Sequence, residues 1–217
     1  MSQELWEIVQ RGELEEAELQ LALQCAPLIA GLKVSNLLNI RKDLFSRMKE
    51  IVKDSHLSWF LLLENEEKVT VLLYHRRSLE TYLAQGKVRE QLRKAGYRSL
   101  TLRDILSGFR ERYRRYMHSQ CGDDRYTKDR EEFPHEMGLL LGYPVEDVEG
   151  FVKNKGNNFL CTGYWKVYEN QDRKQKLFER FEHAKENLIW LLSYGMSMGD
   201  IIDICCKRGQ QVAHMND

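Results

Sequence analysis

Two apolar runs, Leu57 to Leu63 and Val69 to Tyr74, flank a short polar stretch, Glu64 to Lys68. Apolar runs of this length around a turn predict a β-hairpin, although this turn contains no glycine. Most of the remaining chain carries apolar residues at helical spacing, so the hairpin forces a sheet into an otherwise helical protein. Lys33 to Asn39 is a further strand candidate, and Phe159 to Tyr168 is an extended segment around Trp165. The fold class expected is α+β: a helix-rich single domain with a small sheet of three or four strands.

The helices follow from periodicity and punctuation. Ser2 to Gln24 carries an apolar stripe, Leu14, Ala17 and Leu21, with a break near Gly12. Cys25-Ala26-Pro27 is expected to stop it, with Pro27 opening a short helix through Leu32. Arg41 to Asp54 points Leu44, Phe45, Met48, Ile51 and Val52 inward. Ser78 to Ala84, Lys87 to Ala95 (ended by Gly96) and Thr101 to Met117 follow, and polar Ser119 to Arg130 reads as a mobile loop. Two helices then open on proline and close on glycine, Pro134 to Gly142 and Pro144 to Gly156. Asp172 to Leu192 and Met198 to Lys207 are the last, the second capped by Gly209. The organisation expected is an acidic helical arm over 1–24, one α+β domain over 25–209 and a disordered tail over 210–217.

The 217 residues include 33 Lys+Arg and 33 Asp+Glu, so net charge attracts neither nucleic acid nor an acidic membrane. No apolar run approaches the roughly 18 residues of a membrane span. The first residues, with Glu4, Trp6 and Glu7, lack the basic and apolar regions of a signal peptide, so a cytoplasmic location is expected. The cysteines are Cys25, Cys121, Cys161, Cys205 and Cys206, an odd number without a C-x-x-C pair. Neither a disulfide framework nor a structural zinc site is expected. Cys205 and Cys206, beside Ile201, Ile202 and Ile204, read as a buried helix face.

Three segments carry a resemblance. They are Cys25-Ala26-Pro27-Leu28-Ile29-Ala30-Gly31-Leu32-Lys33; Phe133-Pro134-His135-Glu136-Met137-Gly138 onward through Tyr143-Pro144 to Asp147-Val148 and Gly150-Phe151; and Gly163-Tyr164-Trp165-Lys166-Val167-Tyr168. Together, over roughly Cys25 to Gly199, the chain resembles a bacterial family catalogued as domain of unknown function 3793. Gln24 stands where that pattern often has His, and Leu140 where it often has an aromatic residue. The resemblance implies a soluble bacterial protein and brings no activity with it.

Cys25 is the first chemical candidate. Just outside a helix opened by Pro27, its thiol would meet the positive end of the helix dipole and favour the thiolate, a nucleophile or soft metal ligand. The plainer alternative is a small buried hydrophobe. His135 and Glu136 follow Pro134 in a first helical turn, where the dipole favours an uncharged imidazole able to serve as general base. Cys25, His135 and Glu136 thus form a candidate catalytic set, with Asp147 as another group able to orient the ring; the alternative is a cap that ties two helices together. No metal site is expected; were one present, Cys25, His135 and Cys161 would be its ligands.

Lys33, Asn157, Asn158, Tyr164, Trp165 and Lys166 are candidate ligand-binding residues. Asn154 to Asn158 can present backbone N–H groups, and the aromatic pair can stack on a planar molecule, although a helix cap and a core would use the same residues. No glycine-rich phosphate motif accompanies them, so no cofactor is named. Between Arg76 and Arg115, twelve basic residues face four acidic ones, a net +8. An RNA or phosphate surface is one reading, but no nucleic-acid motif is present, so the stretch is read as a solvated helix face balanced by the acidic arm, which could pack on it. The functions expected are a small-molecule enzyme or binding protein with a Cys/His pocket or, alternatively, a non-catalytic interaction or regulatory protein. The partner, small molecule or protein, is left open, and neither nucleic acid nor membrane is expected.

Overall fold

The computed structural model describes residues 3–120 and 132–214, with side chains as far as Cys206. Its centre is a three-stranded antiparallel sheet of order β1-β3-β2, with β1 Ser35–Arg41, β2 Leu57–Glu64 and β3 Lys68–His75. β2 and β3 are the predicted hairpin. Asn65 does the work of the missing glycine: its side-chain oxygen accepts from the N–H groups of Glu67 (3.0 Å) and Lys68 (2.7 Å). Every residue of β3 from Val69 to Tyr74 is buried. A central strand covered on both faces needs such a nearly continuous apolar run, rather than alternation, and its one polar member, Thr70, donates to Asn39 Oδ1 (2.7 Å).

One face carries α1 Gln3–Arg11, α2 Glu16–Ile29, α3 Phe45–Val52, α9 Gln171–Ser193 and α10 Met198–His214. Val69, Val71 and Leu73 of β3 join their core. Gly12 (φ +68°) separates α1 from α2, and Glu15 caps α2 by accepting from Ala17 N–H (3.2 Å) and Glu18 N–H (3.0 Å). The expected stop at Cys25-Ala26-Pro27 is absent. Pro27 lies within the last turn of α2, where its missing N–H removes a single backbone bond, and the apolar face of α2 continues past it in Leu28 and Ile29. α2 therefore crosses residues 24 and 25 unbroken, with Leu21 and Ala22 fully buried. The acidic residues near its start do not reach the basic stretch: Glu16 pairs with Arg41 (2.9 Å), Glu15 with Arg47 (3.9 Å), and Glu18 accepts from Met198 N–H (3.1 Å) at the start of α10.

The other face carries α4 Arg76–Leu83, α5 Gly86–Lys94, α6 Leu102–Gln120, α7 Met137–Leu140 and α8 Val145–Lys153. Leu72 and Tyr74 of β3 join this second core. Three arginines of the basic stretch serve packing. Arg114 donates to the Leu62 carbonyl (3.0 Å), Arg110 lies 5.1 Å from the Phe60 ring centroid, and Arg112 pairs with Glu136 (2.9 Å).

Other expectations shift. The helix read from Pro134 shrinks to four-residue α7, because residues 135 and 136 form a turn. The extended segment around Trp165 pairs only as β4 Cys161–Thr162 with β5 Lys166–Val167, a separate two-stranded sheet. α10 runs through Gly209 to His214, so residues 210–214 are helical rather than a tail. The loop read at 119–130 begins with the end of α6, and its remainder, like Cys121 and residues 215–217, lies outside the described residues. Among the described residues no helix is long and apolar enough to cross a membrane.

Candidate functional site

The β4–β5 hairpin has too few backbone bonds to hold itself and is positioned by side chains. Asp147, at the third position of α8 after Pro144, suits the positive end of the helix and is almost wholly buried. One carboxylate oxygen accepts from Trp165 Nε1 (2.8 Å) and lies 3.2 Å from Lys174 Nζ; the other accepts from the N–H groups of Tyr168 (2.8 Å) and Glu169 (3.3 Å). Lys174, itself buried, also pairs with Glu146 (2.8 Å). Asp147 thereby joins α8, the hairpin and α9. Close approach does the rest. A Cβ on Gly163 would stand 2.3 Å from the Phe178 ring, and one on Gly150 would stand 2.4 Å from the Tyr168 ring. Across the sheet, the Ser35 hydroxyl donates to the Leu140 carbonyl and anchors α7 to β1.

Between α7, α8 and this hairpin lies a cavity of about 340 Å³. One wall is the stacked pair Tyr143 and Trp165 (centroids 4.7 Å, planes 28° apart), backed by Phe178 edge-on to Trp165 at 4.6 Å. Phe133, His135 and Phe151 form another wall, the imidazole lying 5.7 Å and 5.3 Å from the two phenyl rings. Met137, Leu141 and Val148 add aliphatic surface, and Thr162, Tyr164 and Lys166 complete the lining. Among the described residues neither imidazole nitrogen of His135 has a hydrogen-bond partner. Lys166 donates to the Gly156 carbonyl (2.7 Å), and its ammonium lies 5.8 Å and 4.9 Å from the ring centroids of Phe151 and Phe159.

His135, Tyr164, Trp165 and Lys166, expected from the sequence, therefore line one cavity. The others lie elsewhere. Cys25 is in the interior of α2, not outside a helix start, and is completely buried in the core of the opposite face. Burial pushes its thiol up to about 12, while the charge of Lys33 and the amide of Asn36 pull the other way. The thiolate expected there is disfavoured, and Cys25 shares no cavity with His135. Glu136 points away and is buried, accepting from Arg112 Nη1 (2.9 Å) and Tyr97 OH (3.1 Å), which is the tying role of the plainer alternative. Lys33 sits behind the wall: its ammonium donates to Asn36 Oδ1 (2.6 Å), lies 5.3 Å from the Tyr143 centroid, and is lowered by burial to about 8. Asn157 and Asn158 are exposed and outside the lining. Cys161 is on β4, packed beside the Val167, Phe178 and Phe181 cluster. Cys25, His135 and Cys161 therefore do not converge, and among the described residues no group of three or more His, Cys, Asp or Glu can hold a metal ion.

Phe133, Tyr143, Val148 and Phe151 line the cavity as well, beyond the residues expected from the sequence. A signal existed on α8, where Asp147, Val148 and Phe151 stand at i, i+1 and i+4 and share one helical face. A family model described as "Protein of unknown function (DUF3793)" matches residues 21–202. Comparison with curated proteins and with solved structures gives no match.

Proposed function

The chain belongs to the DUF3793 family of proteins of unknown function, and on that premise we propose that it binds a small molecule in the aromatic cavity between α7, α8 and the β4–β5 hairpin. The observation that carries this reading is convergence: aromatic side chains from three separate segments enclose about 340 Å³, with the His135 ring edge and Lys166 as polar features. Ligand sites are typically mostly apolar hollows of roughly 300 Å³ upward with a few placed polar groups. The walls are also held in advance. Asp147 fixes Trp165, and the Gly163 contact fixes the hairpin on α9, so little ordering remains to oppose binding.

A binding or regulatory role fits this arrangement better than thiol chemistry, because the cysteine such chemistry would use is sealed in the other core. The same proposal places the chain in a bacterial cytoplasm, supported among the described residues by Cys25, Cys161 and Cys206, none of which is joined in a disulfide. The test is calorimetric titration with three naphthalene probes: 2-naphthylmethanol, 2-naphthoate and 2-naphthylmethylammonium. At least one is expected to bind with Kd below about 1 mM. Thr162→Trp, at an exposed lining position, is expected to abolish that binding without lowering the unfolding temperature. Absence of binding by all three probes to the folded wild type would overturn the reading.

A further inference from the structure

We infer that the ligand of this cavity is a planar aromatic anion, held among the aromatic side chains of the lining with its charged group on Lys166. The inference rests on the preceding reading and names the ligand class for the same site. Shape supplies the first half. Tyr143 and Trp165, stacked on each other, bring two aromatic rings to the lining, and Phe151 with the His135 edge faces the same hollow from α8 and α7. Aromatic rings favour offset stacking and edge contacts over loose aliphatic packing, so a planar guest uses these walls best.

Charge supplies the second half. The ionic side chains among the lining residues are Asp147 and Lys166, besides the imidazole of His135. Asp147 is spent: its two oxygens accept from one indole and two backbone N–H groups, and Lys174 lies 3.2 Å away. Lys166 is not spent. Among the described residues no carboxylate pairs with it, and its hydrogen bond goes to a neutral carbonyl, that of Gly156. An ammonium has three donors, so two remain for a guest. The cavity lining therefore offers one ammonium that no carboxylate among the described residues pairs with directly, and a guest anion can take that place. Aromatic boxes also accommodate cations, but they do so where no fixed cation competes. Here Lys166 occupies that place, over Phe151 and Phe159.

The same three probes separate this inference from the one beneath it. At neutral pH, 2-naphthoate is expected to bind about tenfold more tightly than 2-naphthylmethanol, the usual gain of a charge-assisted hydrogen bond, and 2-naphthylmethylammonium more weakly than either. Lys166→Met is expected to bring the naphthoate down to the level of the alcohol and leave the alcohol unchanged, while Lys166→Arg retains most of the preference. Equal binding of acid and alcohol, tightest binding of the ammonium probe, or unaltered naphthoate binding in folded Lys166→Met would each overturn the anion assignment while the cavity keeps its role. Failure of all three probes would overturn both. The wild-type ranking needs no variant, so a poorly folding Lys166→Met does not shield the inference.

Discussion

Cys25 illustrates how one residue changes meaning with its surroundings. A thiol beside the start of a helix is activated; the same thiol inside α2 and sealed from water is silenced, because the thiolate has no solvent to stabilise it. The ordinary thiol value of 9.0 moves up to about 12, with burial the dominant cause. The folded chain thus keeps a proton between about pH 9 and 12 that the unfolded chain has lost, so this residue's contribution to stability is complete below pH 9 and falls as pH rises through that window. Iodoacetamide at pH 9 is expected to leave Cys25 unmodified in the native protein and to modify it in urea, read by peptide mass spectrometry. Rapid native labelling at Cys25 would contradict its burial. Gln24, next to it, has a different task. Its side-chain amide accepts from Asn39 N–H (3.0 Å) and donates to Asn39 C=O (2.9 Å), closing part of the free edge of β1 as a neighbouring strand would.

Three of the elements that shape the cavity, α7, β4 and β5, are among the shortest described. Two-residue strands β4 and β5 would not persist alone in water, and they stand because Asp147 and the flank of α9 hold them. Gly163 is the tightest point of that contact. Gly163→Ala places a methyl group 2.3 Å from the Phe178 ring and must push the hairpin off α9. We expect a loss of about 1–3 kcal/mol in urea unfolding, together with weaker probe binding, since Trp165 moves with the hairpin. Unchanged stability would mean that Phe178 yields freely. The sequence displayed the larger elements well. The β2–β3 hairpin and α3 to α6 fall within a few residues of their expected spans, because their periodicity is long enough to dominate local noise. α7 and the β4–β5 hairpin were legible only as a proline-to-glycine interval and an extended stretch. Pieces this short take their shape from tertiary contacts, which no local pattern records.

At the scale of the whole molecule, the sheet is a thin shared floor between two helical layers. Leu72 and Leu73 are adjacent on β3 and enter different cores, each with almost no exposure. Leu72→Ala and Leu73→Ala are both expected to lower unfolding stability by about 2–5 kcal/mol, measured by chemical denaturation. A neutral result for either would mean that its face of the sheet is not covered. α9 adds the third connection: Phe178 and Phe181 pack with the hairpin, while Ala184, Leu188 and Ile189 pack in the first core. By itself the sequence determined the α+β class, the central hairpin, most of the long helices and the importance of the Pro134 and Gly163 segments, because apolar spacing and turn chemistry are local properties of neighbouring residues. Only the tertiary structure decided that His135, Trp165 and Lys166 meet in one hollow while Cys25 and Glu136 turn into separate interiors. Which face a side chain serves depends on what packs against it, and those partners lie tens of residues away along the chain.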